Sequence, residues 1–362
     1  MQQQADAGIV ISASHNPYAY NGIKVFNAQG YKLSDEMEQR VEDLILNHAE
    51  LPASVDGTVG RRHHGMHALH SAYVQHLLGS IDCDLTGLRV LVDCANGAAS
   101  TTARYLFGRF PLEAEYLNDK PNGVNINSGC GSTHLEALCD AVKAGGYDLG
   151  IAFDGDADRC LAVDENGRVI DGDRIIAVLA KRMKEKKILK GDAAVVTVMS
   201  NLGFHDFMKQ NGMKTVCAKV GDRYVLEEMQ RSGYNIGGEQ SGHIIMLDHA
   251  TTGDGQLTAA MLIKVMTETG KSLAQLCEGI EDYPQLLVNV KITESGKGKW
   301  NNVPAIMDCI SAAEKELGGS GRVLVRESGT EPLVRVMVEG KDMDMVKRLA
   351  DSIAEEVKRS LT

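Results

Sequence analysis

Asp154, Asp156 and Asp158 stand on alternate residues, separated by Gly155 and Ala157 and followed directly by Arg159. Carboxylates crowded at that spacing repel one another unless a cation takes their oxygens. Hard oxygen donors suit Mg²⁺, the usual companion of bound phosphate. Two short apolar stretches, 149–153 and 160–163, flank the run and read as strands, so the acids sit on a tight loop at a strand end. A calcium loop is the competing metal reading, because Asp154, Asp156, Asp158 and Glu165 fall at positions 1, 3, 5 and 12 of an EF-hand. That reading fails twice: Arg159 stands where the sharp turn needs glycine, and strands rather than helices flank the loop. Taken alone, the loop is also compatible with a solvated acidic turn.

Three further loops carry polar groups that could share a reaction. The apolar stretch 8–11 runs into Ser12-Ala13-Ser14-His15-Asn16-Pro17, a turn closed by a proline. A serine at such a strand exit could serve as a nucleophile or phosphoryl carrier, given a base and cations nearby, and His15 and Lys24 are the local candidates. In Gly237-Gly238-Glu239-Gln240-Ser241-Gly242-His243, glycines allow close backbone approach while Glu239, Ser241 and His243 present groups that could bind sugar hydroxyls. The fourth loop, Arg326-Glu327-Ser328-Gly329-Thr330-Glu331-Pro332, precedes a strand carrying Arg335. Its backbone N–H groups, hydroxyls and two arginines would make a phosphate cradle; a plain hairpin turn is the alternative.

In chain order these loops offer a phosphoryl carrier, a cation site, a hydroxyl reader and a second phosphate site. With these words the chain resembles the α-D-phosphohexomutase superfamily over essentially its whole length. Three stretches, 126–134 (Ile-Asn-Ser-Gly-Cys-Gly-Ser-Thr-His), 220–225 (Val-Gly-Asp-Arg-Tyr-Val) and the Gly-Glu-Gln-Ser-Gly-His wording, are similar to those of the phosphoglucosamine mutases. The resemblance implies that Ser14 is phosphorylated and that Asp154, Asp156 and Asp158, with the serine's phosphate, hold one Mg²⁺ that Arg159 supports. It implies that Lys24 or His15 is the general acid/base, Lys24 being favoured by its place in Asn21-Gly22-Ile23-Lys24. Glu239, Ser241 and His243 would hold sugar hydroxyls, and Arg326, Ser328, Gly329, Thr330 and Arg335 would grip the substrate's phosphate.

The implied activity is an isomerase-class phosphotransfer that interconverts glucosamine 6-phosphate and glucosamine 1-phosphate through a phosphoserine and a sugar 1,6-bisphosphate, which also serves as primer. Such a reaction would feed amino-sugar nucleotide and cell-wall precursor synthesis. Alternatives are a phosphomannomutase or phosphoglucomutase, a metal-dependent phosphatase, and a non-catalytic sugar-phosphate binding fragment. The expected partner is an amino-sugar phosphate; the resemblance also leaves room for an activating kinase or self-phosphorylation, and for a homodimer. Superfamily members carry about a further half-domain before the serine loop, whereas here that loop lies within a dozen or so residues of Met1. The expectation is a first domain lacking its opening strands and helix, poorly folded around Ser14 and weakly active.

The elements that must position these loops follow from the hydrophobic rhythm. Strand patterns at 89–94, 149–153, 193–198, 243–247 and 333–338 alternate with helical patterns at 174–187, 256–269 and 342–360. Such alternation predicts parallel or mixed sheets with helices on their faces and function at strand ends. With the resemblance, the expected fold is multidomain α/β: three similar mixed-sheet α/β domains, the first truncated, and a C-terminal α+β domain around a central cleft. We place the domains at 1–69 with the phosphoserine loop, 70–166 with the metal loop, 167–284 with the sugar loop and 285–362 with the phosphate loop.

The 362 residues are too many for one core, and 43% of them are apolar. No apolar run spans a bilayer and no secretory leader is visible, so a cytoplasmic protein without a membrane partner is expected. A net charge of −11 argues against a nucleic-acid partner. The eight cysteines include no C-x-x-C pair and read as reduced packing thiols. No G-x-G-x-x-G fingerprint supports a dinucleotide fold. The stretch 50–65 reads as a linker or surface strand pair, and the lysine-rich 181–190 as a solvated helix face. His63, His64, His67 and His70 invite a metal reading, against which stands a polar linker.

Overall fold

The computed structural model describes residues 4–48, 60–328 and 332–362. They form two compact units, the first running through Ser200 and including Met208–Gly279, the second combining Asn201–Phe207 with Ile280–Thr362. The expected linker at 50–65 lies largely outside the described residues.

The first unit opens with β1 (Ala7–Ile11) and β2 (Ile23–Asn27), an antiparallel pair in register from Ala7 opposite Asn27 to Ile11 opposite Ile23. Helix α1 (Asp35–Leu46) follows, capped by the Ser34 hydroxyl, and buries none of its side chains. The serine segment, the expected truncated first domain, is a two-stranded ribbon with one helix. Next come α2 (Met66–Ser80), β3 (Arg89–Asp93), α3 (Ala99–Phe107), β4 (Glu113–Leu117), α4 (Glu136–Gly145), β5 (Leu149–Phe153), β6 (Cys160–Asp164) and β7 (Val169–Ile170). These strands make one mixed sheet of order β4-β3-β5-β6-β7, in which β3 runs parallel to β4 and β5 while β6 turns back antiparallel. Every residue of β5 and β6 is buried, as their unbroken apolar runs require, whereas the edge strand β4 is partly exposed.

A second mixed sheet, of order β11-β10-β8-β9, follows. In this stretch the elements are α5 (Gly172–Glu185), β8 (Ala193–Thr197), α6 (Leu202–Gln210, whose residues through Phe207 count with the second unit), β9 (Lys214–Ala218), α7 (Asp222–Ser232), β10 (Ile236–Gly238), β11 (Ile244–Met246), α8 (Gly255–Thr269) and α9 (Leu273–Leu276). Strands β8, β9 and β10 are parallel, and β11 folds back on β10. Asp171 and Asp254 cap α5 and α8 through their side chains, and Gly146, Gly233 and Gly270 end α4, α7 and α8 in the left-handed conformation that glycine adopts without strain. The basic run at 181–190 covers the end of α5 and the turn after it, and Arg182 and Lys186 pair with Glu268.

The second unit is a three-stranded antiparallel sheet of β12 (Gln285–Lys291), β13 (Gly321–Glu327) and β14 (Leu333–Gly340), in the order β12-β14-β13. Helices α10 (Pro304–Leu317) and α11 (Met343–Leu361) cover it, and Val334, Val336 and Val338 interleave with Ile306, Ile310, Leu349, Ile353 and Val357 in one core. Mixed sheets followed by an antiparallel α+β unit bear out a multidomain α/β chain. Among the described residues no helix is long and apolar enough to cross a membrane.

Candidate active site

The three acids occupy the turn between antiparallel β5 and β6, where Phe153 pairs with Cys160. Ala157 takes a positive φ of 60°, which bends the loop so that one oxygen from each of Asp154, Asp156 and Asp158 lies within 4.8 Å of the others. Among the described residues this is the one grouping of acids, histidines or cysteines with metal-ligand geometry, so the His63, His64, His67 and His70 series forms none. Bare backbone walls the loop. A Cβ on Gly97 would lie 2.2 Å from the Gly155 carbonyl oxygen, one on Gly155 would lie 2.6 Å from that of Ser14, and one on Gly255 would lie 2.4 Å from that of Arg159.

Ser14 stands against this loop. Its hydroxyl donates to Asp154 Oδ2 at 2.8 Å, and its backbone is left-handed at φ 53°. A non-glycine residue holds that conformation only where its surroundings fix it. The Ser14 N–H donates to Ser12 Oγ at 2.8 Å, and the Asn127 side chain donates to the Ser14 and Asn16 carbonyls at 2.8 and 2.9 Å. Asn127 is buried and itself left-handed, so the 126–134 stretch acts as a clamp on the serine turn.

Charge is arranged around the acids. Lys24, on β2, pairs with Asp156 at 2.6 Å and Asp158 at 2.8 Å. Burial pulls the Lys24 pKa down, but Asp158 and Asp156 outweigh it and lift the group above the ordinary lysine value. Asp154 moves the other way: burial, then Asp158 and Asp156, push it up to about 7. Asp158 resists its own burial because His243 and Lys24 hold it well below the usual carboxylate range. His15 is lowered by burial and by the Arg159 charge. Arg159 approaches Asp154 Oδ2 with its Nε at 3.9 Å and donates its backbone N–H to Asp154 Oδ1 at 3.2 Å.

Whether the loop fits a hard cation is tested by its unspent donors. Asp156 Oδ1 and Asp158 Oδ1 are buried and take no hydrogen bond among the described residues, and three carboxylates outnumber the lysine that partly neutralises them. An all-oxygen set of that charge fits Mg²⁺.

The sugar-loop residues lie at the β10–β11 hairpin, whose turn is closed by Gly242 N–H to the Glu239 carbonyl at 3.0 Å. Glu239 accepts from the Gly221 N–H at 3.1 Å, at the start of α7, and Ser241 is half-buried. The Gly242 carbonyl accepts from the Cys160 N–H at 3.0 Å, tying the hairpin to the end of the acid loop. His243, read from sequence as a hydroxyl binder, is placed otherwise. Only 3% exposed, its ring sits between Asp158 (3.6 Å) and Asp222 (3.5 Å), and its Nε2 faces the Gly253 N–H at 3.2 Å. Lying just before β11, it therefore braces a carboxylate instead of meeting solvent.

In the second unit Arg326 and Arg335 are cross-strand partners on β13 and β14. Burial and the facing Arg335 lower the Arg326 pKa, and Arg335 Nε is buried without a hydrogen bond among the described residues. Like charges placed opposite one another are costly unless an anion joins them. Ser328 donates its backbone N–H to the Leu333 carbonyl at 2.9 Å, and Gly329 and Thr330 lie outside the described residues.

Sequence reasoning passed over Asn127, Asp222, Lys32 and Arg223 as site residues. Lys32 pairs with Asp222, and Arg223 with Asp35 and Glu38. The only early signal was the wording of the 126–134 and 220–225 stretches, which carried a likeness without a role.

Comparison with known proteins adds the lineage. Models of the phosphoglucomutase/phosphomannomutase family match in series: alpha/beta/alpha domain I at residues 1–51, domain II at 71–167, domain III at 171–283 and the C-terminal domain at 287–356. The phosphoglucosamine mutase of Thermoanaerobacter sp. (strain X514) is 49% identical over 358 residues, 99% of this chain and 80% of the relative. That of Ruminiclostridium cellulolyticum is 49% identical over 362 residues, 100% of this chain and 80% of its own length. Among solved structures, a phosphoglucomutase/phosphomannomutase family protein from Burkholderia thailandensis superposes with a TM-score of 0.79 at 23% identity, covering 98% of this chain and 77% of that one. Aspergillus fumigatus N-acetylphosphoglucosamine mutase, in complex with GlcNAc-6P and magnesium, gives 0.74 at 20% identity, covering 98% and 89%. These two share the fold; the closer bacterial sequences and the serial domain matches carry the assignment. The chain belongs to the phosphoglucomutase/phosphomannomutase family, on its phosphoglucosamine mutase branch.

Proposed function

We propose that this chain interconverts glucosamine 6-phosphate and glucosamine 1-phosphate, with Ser14 as the phosphoryl carrier. The observation that carries the reading is the Ser14 hydroxyl held 2.8 Å from a carboxylate of a three-acid loop, with Lys24 and Arg159 beside it. A serine placed so is poised to bear a phosphate whose charge the adjoining cations offset. Asp154, Asp156 and Asp158 would hold Mg²⁺, which when bound neutralises phosphoryl oxygens and the developing charge on the leaving serine oxygen.

In the forward half-reaction the bond from phosphorus to the serine oxygen breaks and one to a sugar hydroxyl oxygen forms. The sugar hydroxyl proton passes to a base while the released Ser14 oxygen takes one up; when the bisphosphate returns its other phosphoryl group, Ser14 gives up that proton and the freed sugar oxygen gains one. His15, lowered by burial and by Arg159, can accept a proton near neutrality. Lys24 stays an ammonium while Asp158 and Asp156 hold it, and in that state serves as a cation or acid. Glu239 and Ser241 would hold sugar hydroxyls, with the Gly221 N–H fixing the Glu239 carboxylate. Arg326 and Arg335 would take the phosphate the sugar keeps, since guanidinium donors bind it whichever carbon bears it. A sugar 1,6-bisphosphate would prime the enzyme by loading Ser14.

Intact-mass and peptide spectrometry of the protein, before and after incubation with Mg²⁺ and a sugar bisphosphate, tests this. One phosphate on the 12–16 peptide is expected, and Ser14→Ala should lose exchange while still binding sugar phosphate. Substantial turnover by Ser14→Ala would remove Ser14 from the carrier role. Parallel coupled assays with glucosamine, glucose and mannose phosphates decide the sugar, and release of free phosphate in step with substrate loss would point to a phosphatase.

A further inference from the structure

Among the described residues, polar and charged links join the segment that carries Ser14 to the acid loop and to α7. None of residues 4–48 is buried, and Ile9, Ile11 and Ile23 are 69, 74 and 72% exposed. Among the described residues, the links that place it on the acid loop are polar. Some lie at the reacting centre itself, through Ser14, Lys24 and Asn127. Others lie at the far end of the segment. Arg223, on α7, pairs with Asp35 and, at 2.6 Å, with Glu38 of α1; Lys32 pairs with Asp222; and Thr251 donates to the Gly30 carbonyl at 2.9 Å. Between these links the seam encloses a gap of about 410 Å³ lined by Tyr31, Leu33, Met37, Leu226 and Ile245, so apolar complementarity does not hold it shut.

A continuous ladder runs from that seam to the serine. Leu33 N–H donates to the Val25 carbonyl at 3.1 Å, β2 pairs along its whole length with β1, and Ser12 N–H donates to the Gly22 carbonyl at 2.9 Å.

We propose that Arg223 is a positioning residue for the carrier serine: its paired grip on Asp35 and Glu38 sets where the β1–β2 ribbon places Ser14 over Asp154. The proposal rests on the reading of Ser14 as carrier. The ion pairs of Arg223 are with α1, and its effect passes through α1 and the ribbon. Because Asp35 and Glu38 are largely exposed, the grip weakens with salt.

The test compares wild type, Arg223→Ala, Arg223→Lys, Arg223→Glu and a charge swap combining Arg223→Glu with Asp35→Lys and Glu38→Lys. Hydrogen exchange is read for residues 7–46 against the buried β5 and β8, beside kcat and sugar-phosphate binding in a Ser14→Ala background. In Arg223→Ala, exchange in 7–46 should rise about fivefold and kcat fall by a similar factor, with β5, β8 and ligand binding unchanged. Arg223→Lys should recover part of the loss, the swap should restore what Arg223→Glu loses, and molar salt should reproduce the Arg223→Ala exchange pattern in wild type. Exchange in 7–46 that does not change in Arg223→Ala, a rise spread equally over β5 and β8, or a swap no better than Arg223→Glu would overturn the proposal. The carrier reading fails separately, if wild-type Ser14 never takes phosphate while the exchange results stand.

Discussion

Gly155→Ala isolates the contact between the serine turn and the acid loop. Gly155 is not in the left-handed region, so the backbone accepts alanine and only the added methyl acts. That methyl would sit 2.6 Å from the Ser14 carbonyl oxygen, 2.7 Å from Asn127 Nδ2 and 2.8 Å from Ile126 Cδ1. The first of these is roughly 0.8 Å inside ordinary contact, and it meets backbone that cannot rotate aside. The serine turn must lift by about that much, since the acid loop is backed by β5 and β6, whose residues are all buried. Both Asn127 hydrogen bonds to the turn would stretch out of range, at about 1 kcal/mol each. A misplacement near 1 Å at a phosphoryl carrier costs about a hundredfold in rate. A coupled mutase assay with a parallel thermal melt should give a kcat lowered by about that factor and a stability loss of about 1–3 kcal/mol. A variant turning over within about threefold of wild type, at an unchanged melting temperature, would refute the idea that close backbone contact sets the position of Ser14.

Lys24→Met removes the cation now paired with Asp156 and Asp158, so Mg²⁺ affinity measured by calorimetry should rise at least about fivefold while turnover falls; weaker binding would show that Lys24 does not compete for those oxygens. Tyr73→Phe deletes the hydroxyl that donates to the half-buried Asp254 at 2.9 and 3.0 Å, and should cost about 1–3 kcal/mol by calorimetry. Burial already lifts Asp254 above the ordinary carboxylate value, so the folded state holds its proton longer than the unfolded state and Asp254's contribution to stability shrinks as pH rises. Losing a donor to the ionised form raises that pKa further, so the Tyr73→Phe deficit should be larger at about pH 8 than at about pH 5; a deficit independent of pH would argue against the hydrogen bond. Burial lifts the thiols of Cys94 and Cys277 to about 12 and Cys130 to about 11, and raises Cys160 as well. A thiol reagent at about pH 8 should leave those four untouched until the chain unfolds, and rapid native labelling of any of them would contradict their packing role.

The acid loop was legible because one local pattern carried it: a fully apolar strand, three acids on alternate residues, and another apolar strand. The same periodicity placed β5 at Leu149–Phe153, and helices α5, α8 and α11 within a few residues of their expected ends. What local pattern could not supply was pairing across the chain. The direction of β6 is set by hydrogen bonds to β5, which alternation alone does not reveal. Asn127 meets Ser14 across 113 residues and Lys32 meets Asp222 across 190, distances over which neighbouring letters give no warning. His243 shows the same limit. Its neighbours promised a ligand-facing loop, but the ring, just ahead of β11, is buried and meets Asp158 and Asp222. Lys24 was singled out for proton transfer from its motif, yet its place as counter-ion to two acids needed coordinates.

The glycines that crowd the acid loop also bear on which ions it can use. With Gly97, Gly155 and Gly255 bringing main chain within reach on three sides, the turn has little freedom to spread its carboxylates. A calcium ion wants six to eight oxygens at 2.3–2.6 Å, whereas magnesium settles for a tight octahedron near 2.1 Å. Size exclusion would then come from the peptide scaffold around the acids and not from the acids themselves. Calcium should support little turnover at concentrations where magnesium saturates, and relaxing that scaffold would be the route by which a descendant of this protein lost its preference.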